Sequence, residues 1–144
     1  MNRLLYIISL MILSVSSYAL DTSDVGTYAV IHRDGHVTDF TFFVSLSGDR
    51  WNVEQKKPNG TWTNVTCERD CVLHESNNNE IVHFFSASAL TEIKPSCVHN
   101  TAFAFCTYSL RAKPASKDYI FFALVQPQPI SLKLKKLSGD RFVP

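Results

Sequence analysis

The chain carries almost no net charge. Fourteen Lys and Arg residues face thirteen Asp and Glu, and the formal net charge is +1 with histidine neutral. Such a balance creates no general field to attract a polyanion or an acidic membrane surface, so neither nucleic acid nor a membrane is an expected partner. The motifs that mark enzymes are missing as well. There is no Gly-x-Ser-x-Gly nucleophile elbow. There is also no phosphate-binding loop, dinucleotide fingerprint or His-Glu-x-x-His pair. No cofactor is therefore expected, and scattered Ser, His and acidic residues do not by themselves make a triad. No repeat, low-complexity stretch or linker divides the chain.

What is present begins with one long apolar run at the N-terminus. Met1-Asn2-Arg3 is a short basic start, and Leu4 to Val15 is apolar apart from Ser9 and Ser14. Ser16-Ser17-Tyr18-Ala19 then places small residues at the −3 and −1 positions of a cut after Ala19. This is the three-part pattern of a secretory signal. A spanning helix needs about 20 predominantly apolar residues, and the run turns serine-rich too early. The expected organisation is a signal peptide over residues 1–19 and one domain over residues 20–144, exported to the periplasm or outside the cell. The first cysteine is Cys67, which leaves no cysteine to carry a lipid at the cut.

Four cysteines remain, Cys67, Cys71, Cys97 and Cys106. An even count in an exported chain points to disulfides, with Cys67–Cys71 and Cys97–Cys106 the favoured pairing over the two crossed ones. A zinc set drawn from Cys67, Cys71, His74, Cys97 and His99 matches no strong finger or ribbon spacing. No metal site is expected.

The rest of the chain alternates like β-structure. Tyr28 to Arg33 is rich in strand formers, and Asp34-Gly35 is a strong hairpin signal. From Val37 to Leu46 the even positions Phe40, Phe42, Val44 and Leu46 form an apolar row, with Trp51 expected to face the same interior. On the opposite, polar face only Phe43 is apolar in register. Turns follow at Gly48-Asp49 and at Pro58-Asn59-Gly60, and Trp62 to Cys67 pairs back. Asn77 with Glu80 three residues on is a capping box, and it predicts one helix over Asn78 to Leu90. Strands resume at Ala102–Arg111, Tyr119–Gln126 and Ile130–Leu137. Lys133, Lys135, Lys136 and Arg141 are expected on the wet face of an edge strand and a tail. The fold class is mainly β: a single antiparallel barrel or curved sheet of about seven to eight strands with one short helix, or alternatively a β-sandwich. Gly26-Thr27-Tyr28 resembles the Gly-x-aromatic opening of lipocalin-like barrels, over three residues only.

Function is read partly by exclusion. His32 and His36 flank the Asp34-Gly35 turn and need not converge. His83 is expected to be structural, and His74 and His99 meet only if Cys71 and Cys97 come close. Trp62 is a candidate aromatic anchor, because tryptophan is enriched at binding hot spots. The longer loops are expected at 67–79 and 111–118. The expectation is an exported, non-enzymatic binding protein, of inhibitor or immunity type, acting on a macromolecular partner, in the first place a protein. Its contact residues are expected to be Trp62, Glu68, Asp70, His74 and Glu75. A barrel holding a small apolar ligand is the alternative, and a small extracytoplasmic hydrolase the second.

Overall fold

The computed structural model describes residues 19–65 and 71–141. All of the expected signal peptide but Ala19 therefore lies outside the described residues, as do Cys67, Glu68 and Asp70. A 3-10 turn at Thr22–Asp24 leads into β1 (Gly26–Ile31), β2 (Val37–Ser47), β3 (Arg50–Lys56), β4 (Trp62–Asn64) and β5 (His74–Glu75). Helices α1 (Asn78–Phe84) and α2 (Ala87–Glu92) follow. The chain then returns through β6 (Ile93–His99), β7 (Phe103–Leu110), β8 (Lys113–Ala123) and β9 (Ile130–Ser138). All pairings are antiparallel, in one sheet of order β4-β3-β2-β1-β9-β8-β7-β6-β5. The sheet curls into a half-barrel. The mainly β expectation holds, with nine strands among the described residues rather than seven or eight.

Three local expectations change. The helix over Asn78 to Leu90 is two helices. Asn77 caps α1 with both bonds of the capping box, and the chain is extended at Phe85. Ser86 then caps α2 afresh by accepting from the Ala89 N–H. The expected loop at 111–118 is mostly strand, because β7 and β8 continue outward until Leu110 pairs with Lys113. Nor is β9 an edge. It lies between β1 and β8 at the centre of the sheet, because the first and last strands of the meander pair with each other. Lys136 accordingly reaches back to the Ser23 carbonyl and over the Tyr28 ring.

Each face of the sheet has its own core. The inner face gathers Tyr28, Val30, Phe42, Val44, Val53, Val98, Phe103, Phe105, Phe121 and Leu134. Of the row read from the sequence, Phe42 and Val44 are buried here with Trp51 packed beside them, whereas Phe40 is 43% exposed and stands outside this core. The rings interlock: Phe42 stacks on Phe121 at 4.7 Å, Phe121 on Phe103 at 5.1 Å, and Tyr28 meets Phe105 at 5.2 Å. On the outer face, Ile81, Phe84, Phe85 and Leu90 of the helical segment cover Cys97, Ala104, Cys106, Ile120 and Phe122. That cover extends over β6–β8, and the outer face of β1–β4 carries no helix. Cys97 and Cys106 stand directly opposite in register, are disulfide-bonded, and have a Cα separation of 4.1 Å. Cys71 is also disulfide-bonded, and its expected partner Cys67 lies outside the described residues.

A buried polar network ties the N-terminal turn to the sheet. The Asp24 side chain is fully buried. One carboxylate oxygen takes the Lys117 ammonium at 2.6 Å and the Tyr119 hydroxyl at 3.2 Å. The other accepts from the Asp21 N–H at 2.8 Å, closing a capping box. Tyr28 donates to the Asp24 carbonyl. Burial raises the Tyr28 hydroxyl well above the ordinary tyrosine range. Burial, with the Asp24 charge beside it, pushes Tyr119 up to about 12.

Candidate functional site

The outer face of β1–β4, which carries no helix, is built by simple alternation. Thr41 and Phe43 of β2 lie opposite Ala29 and Thr27 of β1. Lys56 of β3 lies opposite Trp62 of β4. The turn at Asn59-Gly60 feeds β4 back along β3: Asn59 Oδ1 accepts from the Thr61 N–H, and Gly60 takes φ +83°. Two cations lie near the Trp62 ring: Lys56 Nζ is 6.0 Å from the ring centroid and the Arg141 guanidinium is 5.9 Å away. Arg141 also covers Phe43 at 4.9 Å and pairs with Glu54. Phe43 meets Trp62 edge-on at 6.2 Å. The apolar residue in the middle of the polar face of β2 is thus explained: Phe43 packs against Trp62.

Beside this cluster runs an open groove of about 1040 Å³, lined among others by Val37, Asp39, Thr41, Lys56, Trp62 and Leu137. Val37 and Leu137 are each 42% exposed, and Phe40 at the rim is 43% exposed. The Thr41 hydroxyl is buried in the wall and has no hydrogen-bond partner among the described residues.

The expected contact residues do not form one cluster. Trp62 is on β4, at one edge of the sheet, whereas His74 and Glu75 make up β5, at the other. Glu68 and Asp70 lie outside the described residues. The histidines, in contrast, meet more than the sequence implied. His74 pairs directly with His99 across β5 and β6. His99 Nδ1 is 2.7 Å from Ser76 Oγ, and Nε2 is 3.5 Å from Glu80 Oε1. A serine, a histidine and a carboxylate thus lie in sequence, as a hydrolase requires. Glu80 also caps α1 by accepting from the Asn77 N–H at 2.8 Å, and Phe84 lies 5.7 Å from the His99 ring. These bonds fasten α1 to β6. His83 lies on α1 near its C-terminal end, where a cation is favoured.

The inner face bears on the ligand-barrel reading. Tyr28, Val44 and Phe105 are fully buried and Phe42 and Phe121 nearly so, which leaves the row packed by its own rings. The other concavity, of about 630 Å³, opens near the N-terminal turn and is lined by Tyr108, Pro114 and Ala115 as well as by Asp21, Lys94 and Lys117. Comparison with protein-family models, curated proteins and solved structures gives no match for this chain.

Proposed function

We propose that this protein is an exported binding domain whose outer β1–β4 face docks a segment of a protein partner, with Trp62 as the anchor. The Cys97–Cys106 disulfide is consistent with an oxidising compartment outside the cytoplasm, in keeping with the N-terminal sequence. The observation that carries the reading is the open groove beside Trp62, with exposed Val37 and Leu137 and the unpaired Thr41 hydroxyl in its wall. Trp62 is held by Lys56, Phe43 and Arg141, so little side-chain freedom remains to be lost on binding. Tryptophan and arginine are the residues most enriched at binding hot spots. Blocking a secreted toxin or cell-wall enzyme is the kind of task such a rigid surface performs.

The test uses the chain from Leu20 onward as bait against the extracytoplasmic fraction of the source cells. A protein partner recovered by the wild type and lost with Trp62→Ala and with Val37→Asp, both folded, supports the proposal. A partner that survives both changes but is lost with Glu68→Ala and Asp70→Ala moves the site to residues 67–79. Recovery of a bound small apolar molecule in place of a protein overturns the reading in favour of the ligand barrel.

A further inference from the structure

We propose that the tip of the β1–β2 hairpin binds a borderline divalent transition-metal ion, Zn²⁺ or Cu²⁺, through His32, Asp34 and His36. This inference is independent of the docking groove and does not rest on it.

The backbone assembles the donors. The loop between β1 and β2 is closed by the His32 N–H donating to the His36 carbonyl at 2.9 Å and the Gly35 N–H donating to the His32 carbonyl at 2.9 Å. Gly35 takes φ +91°, a left-handed conformation that glycine adopts without strain. Residues four apart in sequence are thereby set side by side, and the two imidazoles stack at 4.9 Å between centroids. Asp34 is turned back toward them because its Oδ1 accepts the His36 N–H at 3.0 Å. The same oxygen lies 3.2 Å from His32 Nδ1 and 2.6 Å from His36 Nδ1. The expectation that the two histidines flank the turn without meeting therefore gives way to convergence on one carboxylate.

The spacing suits an ion. Donors bonded at 2.0–2.1 Å to a tetrahedral metal sit about 3.3 Å from one another. His32 and Asp34 stand at that separation already, and His36 has to withdraw by less than about 1 Å. All three ligating atoms lie within 4.8 Å of one another. Two imidazoles and one carboxylate form a set that suits zinc and copper better than calcium or magnesium, which prefer oxygen alone. The three side chains are about 60% exposed, so an ion arrives without any opening of the fold and completes its shell with water. The alternative role for the trio is purely local, with Asp34 accepting hydrogen bonds from both rings and fixing the turn. That role makes no demand on a metal, and the experiment separates the two.

Untagged protein beginning at Leu20 is titrated calorimetrically with ZnCl₂ and separately with CuCl₂. The Cu²⁺ complex is then examined by electron paramagnetic resonance for coupled imidazole nitrogens. One equivalent is expected, tighter for copper than for zinc, with two nitrogens coupled. His32→Ala and His36→Ala each weaken binding by about tenfold or more and remove one nitrogen. Asp34→Asn, which keeps the oxygen that holds the turn, weakens binding without changing the nitrogen count. His74→Ala leaves the titration unchanged. Amide spectra of each variant establish that the fold is retained. No saturable binding by the wild type, or unchanged binding by the His32→Ala/His36→Ala double variant, overturns the proposal.

Discussion

Removing the Asp24 carboxylate is expected to be the most damaging single polar change in the described structure. Asp24→Ala deprives three donors of one acceptor group: the Lys117 ammonium, the Tyr119 hydroxyl and the Asp21 N–H. Lys117 is about one-third exposed and can turn into water at little cost. Tyr119 and Asp21 are less fortunate, and an orphaned donor costs about 1–3 kcal/mol. Loss of the capping interaction alone is worth about 1 kcal/mol. The expected destabilisation is about 3 kcal/mol, the lower end of the range for breaking a buried ion pair by deleting one partner. Asp24→Asn keeps the shape and one acceptor, and is expected to cost about half as much. Lys117→Met leaves the fully buried carboxylate with two neutral donors and no paired cation, so its cost is expected to approach that of Asp24→Ala. Urea unfolding of the oxidised chain from Leu20 measures all three, with the slope m unchanged if the unfolded state is unaffected. An Asp24→Ala variant within about 0.5 kcal/mol of the wild type would refute the reasoning, since the network would then contribute no net stability.

Gly26→Ala is expected to destabilise by about 2 kcal/mol or more, because a Cβ there would stand 2.2 Å from the Ser138 carbonyl oxygen of the neighbouring central strand. Thermal unfolding checks it, and an unchanged midpoint would mean that β1 and β9 are not so tightly apposed. At high pH the folded state retains the Tyr28 and Tyr119 protons that the unfolded chain releases near pH 10. Stability is therefore complete below about pH 10 and falls above it, by up to about 1.4 kcal/mol per pH unit for the buried Tyr28. Tyrosinate absorbance should show Tyr28 ionising only as the protein unfolds and Tyr119 only near pH 12, and reversible ionisation of both near pH 10 in folded protein would contradict their burial. Ser76→Ala and His99→Ala should each cost about 1 kcal/mol by loosening α1 from β6. Neither should alter hydrolysis of a chromogenic ester, and an esterase activity abolished by Ser76→Ala would instead establish a reaction centre.

The parts of the fold that are local in sequence were legible. Phe42 and Val44 of β2 face inward, Asp34-Gly35 makes its turn, and Asn77 with Glu80 forms the capping box. Long-range pairing was not legible. Nothing in Ile130–Ser138 says that its second neighbour is β1, so its lysines read as those of an edge strand. β6 escaped notice although it is well paired with β7. It contains Pro95, which cannot donate to a ladder. Pro95 is tolerated because β5 pairs only with Val98 and His99, leaving the flank beside Pro95 open. The break between α1 and α2 was hidden because Ile81, Phe84, Phe85 and Leu90 all still face the sheet across it. At the groove, Trp62 was visible as a large aromatic beside a turn, whereas its clamp by Arg141 joins residues 79 positions apart in sequence. The convergence of His32 and His36 depends on how tightly the chain reverses, which the residue types at the turn only partly determine.

The central claim is that a protein partner docks beside Trp62. Its most direct measurement is the dissociation constant of the captured partner for the wild type, for Trp62→Ala, and for the combined His74→Ala/Glu75→Ala change on the opposite edge. A hot-spot tryptophan is worth about 2 kcal/mol or more. The account predicts that Trp62→Ala weakens binding about thirtyfold, while the β5 change leaves it within about threefold. Undiminished affinity in Trp62→Ala, with the loss falling on the β5 variant instead, would contradict it.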